Sequence, residues 1–392
     1  MKRILVLSQF FYPDKTATGK ILAELFEGIA KEDFQVDVIS SRQEYGANVS
    51  EPLPTYEEWS NMRIFRCFRF FQSKDSSFGR IFNYIMVFLL TAFTCFHHGL
   101  HRKKDCIVTV SNPPIMPILG ALLKNNHRKF VYILHDLYPD IAVAMGVVTE
   151  RHLFARFMRW ANKYSFNHAD RIIVLGRDMK KHLIDAYKIP ANKITVITNW
   201  ATKDFYQPIE KKEMFRIVYT GNLGKFHDLG IAVEALKRLN NVELFFIGEG
   251  ASKQLLQEMS KNVAHVYFLP FLAMKEYEQM LSSADALLVS LEQHLSGLAV
   301  PSKFYTYLSS GRPIICVSDR TTEMAMIISE YNCGFVINHG DVDGFVNEVE
   351  KIRDDIDLRY HIGKNAHDLY LKYYQKSAIV QAYKKIFDSM LD

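Results

Sequence analysis

Cysteine is scarce in this chain, with five residues among 392. Cys67, Cys95, Cys106, Cys316 and Cys333 are odd in number, far apart and mostly set inside apolar runs. That pattern excludes a disulfide framework and a thiolate zinc site, and it predicts reduced core thiols in a cytoplasmic protein. No apolar run reaches the roughly 20 residues that a bilayer-spanning helix needs. The first apolar stretch, Ile4 to Leu7, is too short for a signal peptide and reads as a first β-strand. There is no dense Lys/Arg block interleaved with aromatics, and the net charge is only +5, so a nucleic-acid track is excluded. Low-complexity segments, repeats of 20–50 residues and acidic metal-binding triplets are absent too, which leaves no solenoid and no expected metal.

What is present is a globular composition, 48% apolar and 23% charged, at a length that favours two domains of roughly 150–200 residues each. Short β-branched runs alternate with helical patterns from end to end, the signature of parallel sheets covered by helices on both faces. The first half offers strands at Ile4 to Ser8, Val36 to Ser40, Cys106 to Ser111, Phe130 to Asp136, Arg171 to Leu175 and Ile194 to Thr198. The second offers Arg216 to Thr220, Val242 to Ile247, Val266 to Leu269, Ala286 to Leu291, Pro313 to Val317 and Phe335 to Ile337. Between them the polar stretch Thr202 to Glu213 carries Pro208, so the boundary is placed at 203/204. The predicted fold is α/β, two tandem Rossmann-like domains over 1–203 and 204–392. Ligands in such sheets gather beyond the carboxyl ends of the strands, so two such domains facing each other leave a cleft for two substrates.

The richest stretch runs from Gly297 through Pro301-Ser302-Lys303 to Gly311-Arg312-Pro313: a glycine-bearing loop, one short helix and a buried strand. Pro301 suits a first helical turn, Ser302 can cap it, and the free amides of that turn form an anion site fit for a diphosphate. Upstream, Gly221-Asn222-Leu223-Gly224-Lys225 follows a strand, where glycine lets the backbone approach a ligand and Lys225 supplies positive charge. His227 reads as a solvated loop histidine. Gly248-Glu249-Gly250 ends the next strand, and Phe268-Leu269-Pro270-Phe271 the one after it.

These blocks, in this order and spacing, resemble the nucleotide-sugar half of family 4 glycosyltransferases, retaining enzymes of the GT-B architecture. The resemblance implies that Gly221, Asn222, Lys225, Gly248, Leu269, Pro301, Ser302 and Lys303 lie around a nucleotide-sugar donor, with the backbone near Leu269 reading the base. Many members carry two glutamates eight residues apart where this chain has Leu298 and Thr306. Thr306 retains a hydroxyl for the donor, and Lys303 at the helix start gains importance for the diphosphate. The donor is a co-substrate, and no cofactor is implied.

In the first half, Phe11 to Gly19 links the first strand to its helix; by resemblance only Gly19 carries over from a glycine-rich loop near donor phosphates and acceptor. His135-Asp136, at the end of a hydrophobic strand, are the catalytic candidates, because burial there shifts both pKa values. The resemblance puts the histidine near the transferred sugar and leaves Asp136 as the rival for acceptor contact or deprotonation. Asp136-Leu137-Tyr138-Pro139-Asp140 further resembles the Asp-Leu-Trp-Pro stretch of exopolysaccharide transferases. The last helix, over about 366–392, is expected to cross back to the first domain, as in that family.

Ile81 to Phe96 is apolar all round yet only 16 residues long, with Arg63, Arg66, Arg69, Lys74 and Arg80 before it and His101, Arg102, Lys103 and Lys104 after it. A basic-flanked apolar helix of this length predicts docking on an anionic membrane surface through Phe82, Phe88 and Phe93. The expected activity is retaining, metal-free transfer from a uridine diphosphate sugar to a lipid-linked saccharide in bacterial capsule, O-antigen or exopolysaccharide assembly, on the inner face of the cytoplasmic membrane. Two other readings stay open: a sugar-nucleotide 2-epimerase, and a non-catalytic nucleotide-sugar-binding subunit.

Overall fold

A computed structural model describes residues 1–14, 16–42, 53–59, 61–67, 77–102, 104–208, 210, 212–224 and 226–392, and not the side chains of 17, 77, 78, 80 and 81. The chain forms two compact units, Met1–Thr198 with Ser377–Asp392, and Asn199–Lys376.

The first unit is a sheet of β1 (Lys2–Leu7), β2 (Phe34–Ser41), β3 (Tyr56–Trp59), β4 (Met62–Cys67), β5 (Cys106–Val110), β6 (Lys129–Leu134), β7 (Arg171–Val174) and β8 (Ile194–Val196). In space the order is β3, β4, β2, β1, β5, β6, β7, β8, and only edge strand β3 runs antiparallel to its neighbour. Its helices are α1 (Ala17–Ala30), α2 (Ser77–His97), α3 (Met116–Leu123), α4 (Asp140–Ala144), α5 (Leu153–His168) and α6 (Arg177–Tyr187). From β1 the chain turns one way across the sheet through α1 and the other way through α2, α3 and α5. Right-handed crossovers therefore put α2, α3 and α5 together on one face. All six strands read from the first half are present. The β3–β4 hairpin was not read from the sequence, because β3, Tyr56-Glu57-Glu58-Trp59, is a short exposed edge with two adjacent glutamates rather than an apolar run.

The second unit holds β9 (Phe215–Thr220), β10 (Val242–Ile247), β11 (Val266–Leu269), β12 (Ala286–Ser290), β13 (Ile314–Val317) and β14 (Gly334–Ile337) in the all-parallel order β11, β10, β9, β12, β13, β14. Its helices are α7 (Gly230–Leu236), α8 (Lys253–Met259), α9 (Met274–Ser283), α10 (Lys303–Ser310), α11 (Glu323–Tyr331), α12 (Val342–Asp354) and α13 (Ile356–Leu369); α14 (Lys376–Leu391) follows. The core is the run of buried side chains from β9, β10, β12 and β13 against α7 and α12, including Ile217, Leu244, Leu288, Val233 and Val349. Burying such side chains contributes roughly 1.5–3 kcal/mol each.

The units divide after Thr198 rather than after 203. Ala201 and Phe205 are hydrogen-bonded to Tyr374 and Ser309, which ties the connecting segment into the second unit. The expected single helix over about 366–392 is instead α13, a π-turn at Tyr370–Tyr374, and α14. The Tyr374 ring meets that of Tyr305 at 5.1 Å there, and Gln375 bridges to Ala201, so the first part of that stretch is held by the second unit. Ser377–Asp392 belongs to the first unit, where Phe387 meets Phe34 and Asp388 pairs with Lys2. All five cysteines are buried free thiols.

Candidate active site

In the second unit the strand order reverses between β9 and β12, and crevices for ligands open at such switch points. The loops after those two strands carry the residues that the sequence singled out. β9 ends in Gly221, whose φ of +113° is closed to most side chains. Gly248, at φ +142°, is pressed against it: a Cβ there would sit 1.9 Å from the Gly221 carbonyl oxygen. A Cβ at Gly250 would lie 2.4 Å from the carbonyl oxygen of Leu223. The Leu223 amide donates to Glu249 and the Ser252 amide donates to Leu223, so the two loops are laced backbone to backbone. These glycines therefore serve loop–loop packing before any ligand arrives.

Lys303 opens α10 and folds its side chain over this junction. Its Nζ lies 3.3 Å from the position a Gly221 Cβ would take and donates to the Tyr219 hydroxyl, which in turn donates to the Asn222 carbonyl at 2.7 Å. The ammonium also sits 3.8 Å from the centre of the Tyr219 ring. Desolvation lowers the Lys303 pKa to about 7. The residue itself is half-buried, and the water that reaches it counteracts that shift. An anionic ligand would restore the charge, because a nearby negative group favours the ammonium.

His227 is not the solvated histidine the sequence suggested. It is half-buried against Tyr219, its Nδ1–H donates to the Ser290 carbonyl at 2.5 Å, and burial followed by the neighbouring Lys303 lowers its pKa to about 3. It stands as a neutral ring beside the lysine. Its only sequence signal is its distance from the glycine turn. Lys225 lies outside the described residues.

Ser302 does not cap α10. Its backbone is already helical and its hydroxyl makes no capping bond, while Pro301 precedes the helix in a turn whose carbonyl accepts from Phe304. The Thr306 side chain, half-buried, makes no hydrogen bond among the described residues. Leu298 is 4% exposed and belongs to the apolar interior. The Leu269 carbonyl already accepts from the Gly248 amide at 2.9 Å. Asn222 is exposed at the loop tip.

In the first unit, β6 delivers His135 and Asp136 at its carboxyl end. Both backbone amides donate to one hydroxyl, Ser111 Oγ, at 3.1 and 3.2 Å. Neither side chain makes a hydrogen bond among the described residues. Burial drives the His135 pKa down to about 4, so the ring is neutral at physiological pH. Asp136 is exposed, yet the protein around it raises its pKa to about 6; direct contact with water works against that rise. Asp140, four residues on, turns the other way: it is buried, accepts from the Tyr187 hydroxyl at 2.5 Å and faces Arg159 and His182 at 3.7 Å. One aspartate is an anchor and the other an open carboxylate. Gly19 is buried in the first turn of α1, where its amide donates to Thr16 Oγ1 at 3.1 Å, so this glycine supports a helix cap.

Residues 18–204 match the model of Glycosyltransferase Family 4, and residues 214–355 match that of Glycosyl transferases group 1. The chain is a GT-B glycosyltransferase. It is 25% identical over 357 residues to WbjE of Pseudomonas aeruginosa, named as a glycosyltransferase, covering 86% of this chain and 85% of that one. It is 21% identical to WcaI of Escherichia coli K12, named for colanic acid biosynthesis, over 84% and 86% of the two chains. Among solved structures, Alr3699/HepE of Anabaena in complex with UDP and glucose superposes with a TM-score of 0.71 at 15% identity, covering 99% of this transferase and 100% of that chain.

The membrane expectation is changed in detail. Among the described residues no helix is long and apolar enough to cross a membrane. On α2, Phe82 and Phe93 are exposed, but Phe88 packs against the core, and the exposed apolar stripe is completed by Ile85, Leu89 and Phe96. Three residues of the basic flanks are engaged: Arg63 and Lys104 pair with Asp37, and Arg66 with Glu57. Arg69, Lys74 and Lys103 lie outside the described residues.

Proposed function

We propose that this transferase moves a sugar from a uridine diphosphate sugar to a lipid-linked saccharide in bacterial surface polysaccharide assembly, with retention at the anomeric carbon and without a metal. The observation that carries the reading is Lys303 poised over Gly221 and Tyr219 at the switch point of the second sheet. An ammonium placed there stabilises charge on a leaving diphosphate, the task a divalent cation performs in other transferases. The UDP and glucose in the Anabaena structure support the donor class, and the name of WcaI, given for colanic acid biosynthesis, supports the pathway class.

In the proposed step the acceptor oxygen bonds to the anomeric carbon on the face from which the diphosphate departs. The carbon–oxygen bond to phosphate breaks, and the acceptor proton passes to the departing phosphate oxygen. His135, neutral, serves as a hydrogen-bonding group for the sugar, and Asp136 contacts the acceptor. Pro301, Ser302 and Thr306 offer donor contacts from the start of α10, while Asn222, Gly248 and Leu269 border the base and ribose. The exposed stripe on α2 supports peripheral attachment to the inner face of the cytoplasmic membrane, where a lipid-linked acceptor resides.

The deciding experiment incubates the protein with a panel of nucleotide sugars, with and without a membrane extract carrying lipid-linked saccharides. Acceptor-dependent release of UDP, with label entering the lipid fraction, is the expected result. A new sugar nucleotide formed from uridine diphosphate N-acetylglucosamine alone would replace this reading with the epimerase. Binding without turnover throughout the panel would remove the proposed donor and acceptor.

A further inference from the structure

The helical layer formed by α2, α3 and α5 has a property that α2 alone does not reveal: none of the three helices contains a single Asp or Glu, in a chain that has 43 of them. α3 packs against both of the others. Outward from this layer project Phe82, Ile85, Leu89, Phe93 and Phe96 on α2, Leu122 on α3, and Leu153, Phe157 and Trp160 on α5. Trp160 is 56% exposed although it is among the largest apolar side chains in the molecule. On α5 the rings form a ladder, Phe157 to Trp160 at 5.8 Å and Trp160 stacked on Tyr164 at 5.7 Å.

Charge is distributed unevenly over this layer. Of the cations that the sequence placed around α2, Arg63, Arg66 and Lys104 are taken by internal pairs. On α5 the exposed Arg156 and Lys163, with Arg151 just before the helix, have no carboxylate partner among the described residues. Glu150, just before the helix, and Asp140 both face Arg159. Free cations beside a tryptophan and phenylalanines, on a helix without an acid, are the composition of a helix lying in the headgroup region of an anionic bilayer.

We infer that α5 is a second membrane contact. Its aromatic ladder enters the interface beside the α2 stripe, and Arg151, Arg156 and Lys163 supply electrostatic attraction. This rests on the peripheral attachment proposed above and names its partner, a bilayer containing anionic phospholipid. Basic groups near such a surface are drawn to it, and the attraction is screened within a Debye length.

The test is flotation of the full chain with vesicles of phosphatidylcholine containing phosphatidylglycerol, or of phosphatidylcholine alone, followed by tryptophan emission. Wild type should float with the anionic vesicles, and its emission should shift to the blue and be quenched by brominated lipid. R156E/K163E, a surface change that leaves packing intact, should lose binding at least tenfold; W160F should keep binding and lose the emission shift. F82S/L89S/F93S reports on α2 separately. If R156E/K163E floats like wild type and W160F keeps the shift, α5 is not a contact while the α2 reading survives. If wild type never floats, both fail. A concentration-dependent dimer in lipid-free buffer that R156E/K163E or W160F dissociates would assign this face to a second copy and overturn the inference.

Discussion

The two ends of the proposed chemistry are built in opposite ways. Around Lys303 each group has a partner: the ammonium on Tyr219, the Tyr219 hydroxyl on Asn222, His227 on Ser290, and two glycine loops laced through their backbones. Around His135 and Asp136 the backbone is gripped by Ser111 and the side chains are left without a hydrogen bond. A subsite for an invariant group, a diphosphate, can be completed in advance by the protein. Groups that handle a proton and a changing acceptor need open valences, and only their attachment points can be fixed beforehand.

The largest effect expected from this contrast is on turnover. His135→Ala should lower kcat by more than about 100-fold and leave UDP affinity nearly unchanged in calorimetry, since an open side chain acts on reacting groups rather than on binding. Activity within a few-fold of wild type would make His135 a structural loop residue and dissolve the comparison. Lys303→Met should weaken UDP binding about tenfold at pH 6, where the wild-type ammonium is intact. The sign follows from a pKa lowered to about 7: below it Lys303 is charged and binds phosphate well, and above it wild-type affinity should drift toward that of the methionine variant. A constant ratio between the two from pH 6 to 9 would refute that.

Ser111→Ala tests the attachment point. Removing one acceptor shared by two amides should cost about tenfold in kcat with KM little changed, smaller than the loss of His135 itself. The smallest effect concerns stability. The protein raises the Asp136 pKa from 3.8 toward about 6 and water on the exposed side chain removes part of that rise, so the folded state binds slightly more protons than the unfolded state between those values, and stability falls slightly as pH rises through that window. Asp136→Asn should therefore raise the melting temperature by about a degree at pH 7.5 and do little at pH 4, read by thermal denaturation at both.

Much of this was legible from residue order. Alternating β-branched runs placed all six strands of the second unit, because buried parallel strands are apolar on both faces and leave a dense signal. Gly221, Gly248 and Lys303 were found because a strand, a glycine and a helix start in succession leave few other geometries. The β3–β4 hairpin escaped, since its edge strand is short and exposed rather than apolar. His227 escaped because its burial comes from Tyr219 and the β12 carbonyl, partners reached only through the sheet. Of the three rings expected to be exposed on α2, Phe82 and Phe93 are, and Phe88 is not. A helix apolar on every side does not say which side faces the core. The exposed rings of α5 were not read from the sequence, because its apolar residues are spaced by turns and diluted with cations.

The glycine junction has a consequence for engineering. Since any side chain at Gly248 or Gly250 would collide with main-chain atoms of the neighbouring loop, saturation libraries at those two positions should return only collapsed variants. Attempts to retune donor choice belong at Asn222, Thr306 and the exposed Phe271, which borders the same junction with its ring edge 3.4 Å from the place a Gly248 side chain would begin. The immovable pair acts as the datum from which those adjustable positions can be varied without redrawing the loop.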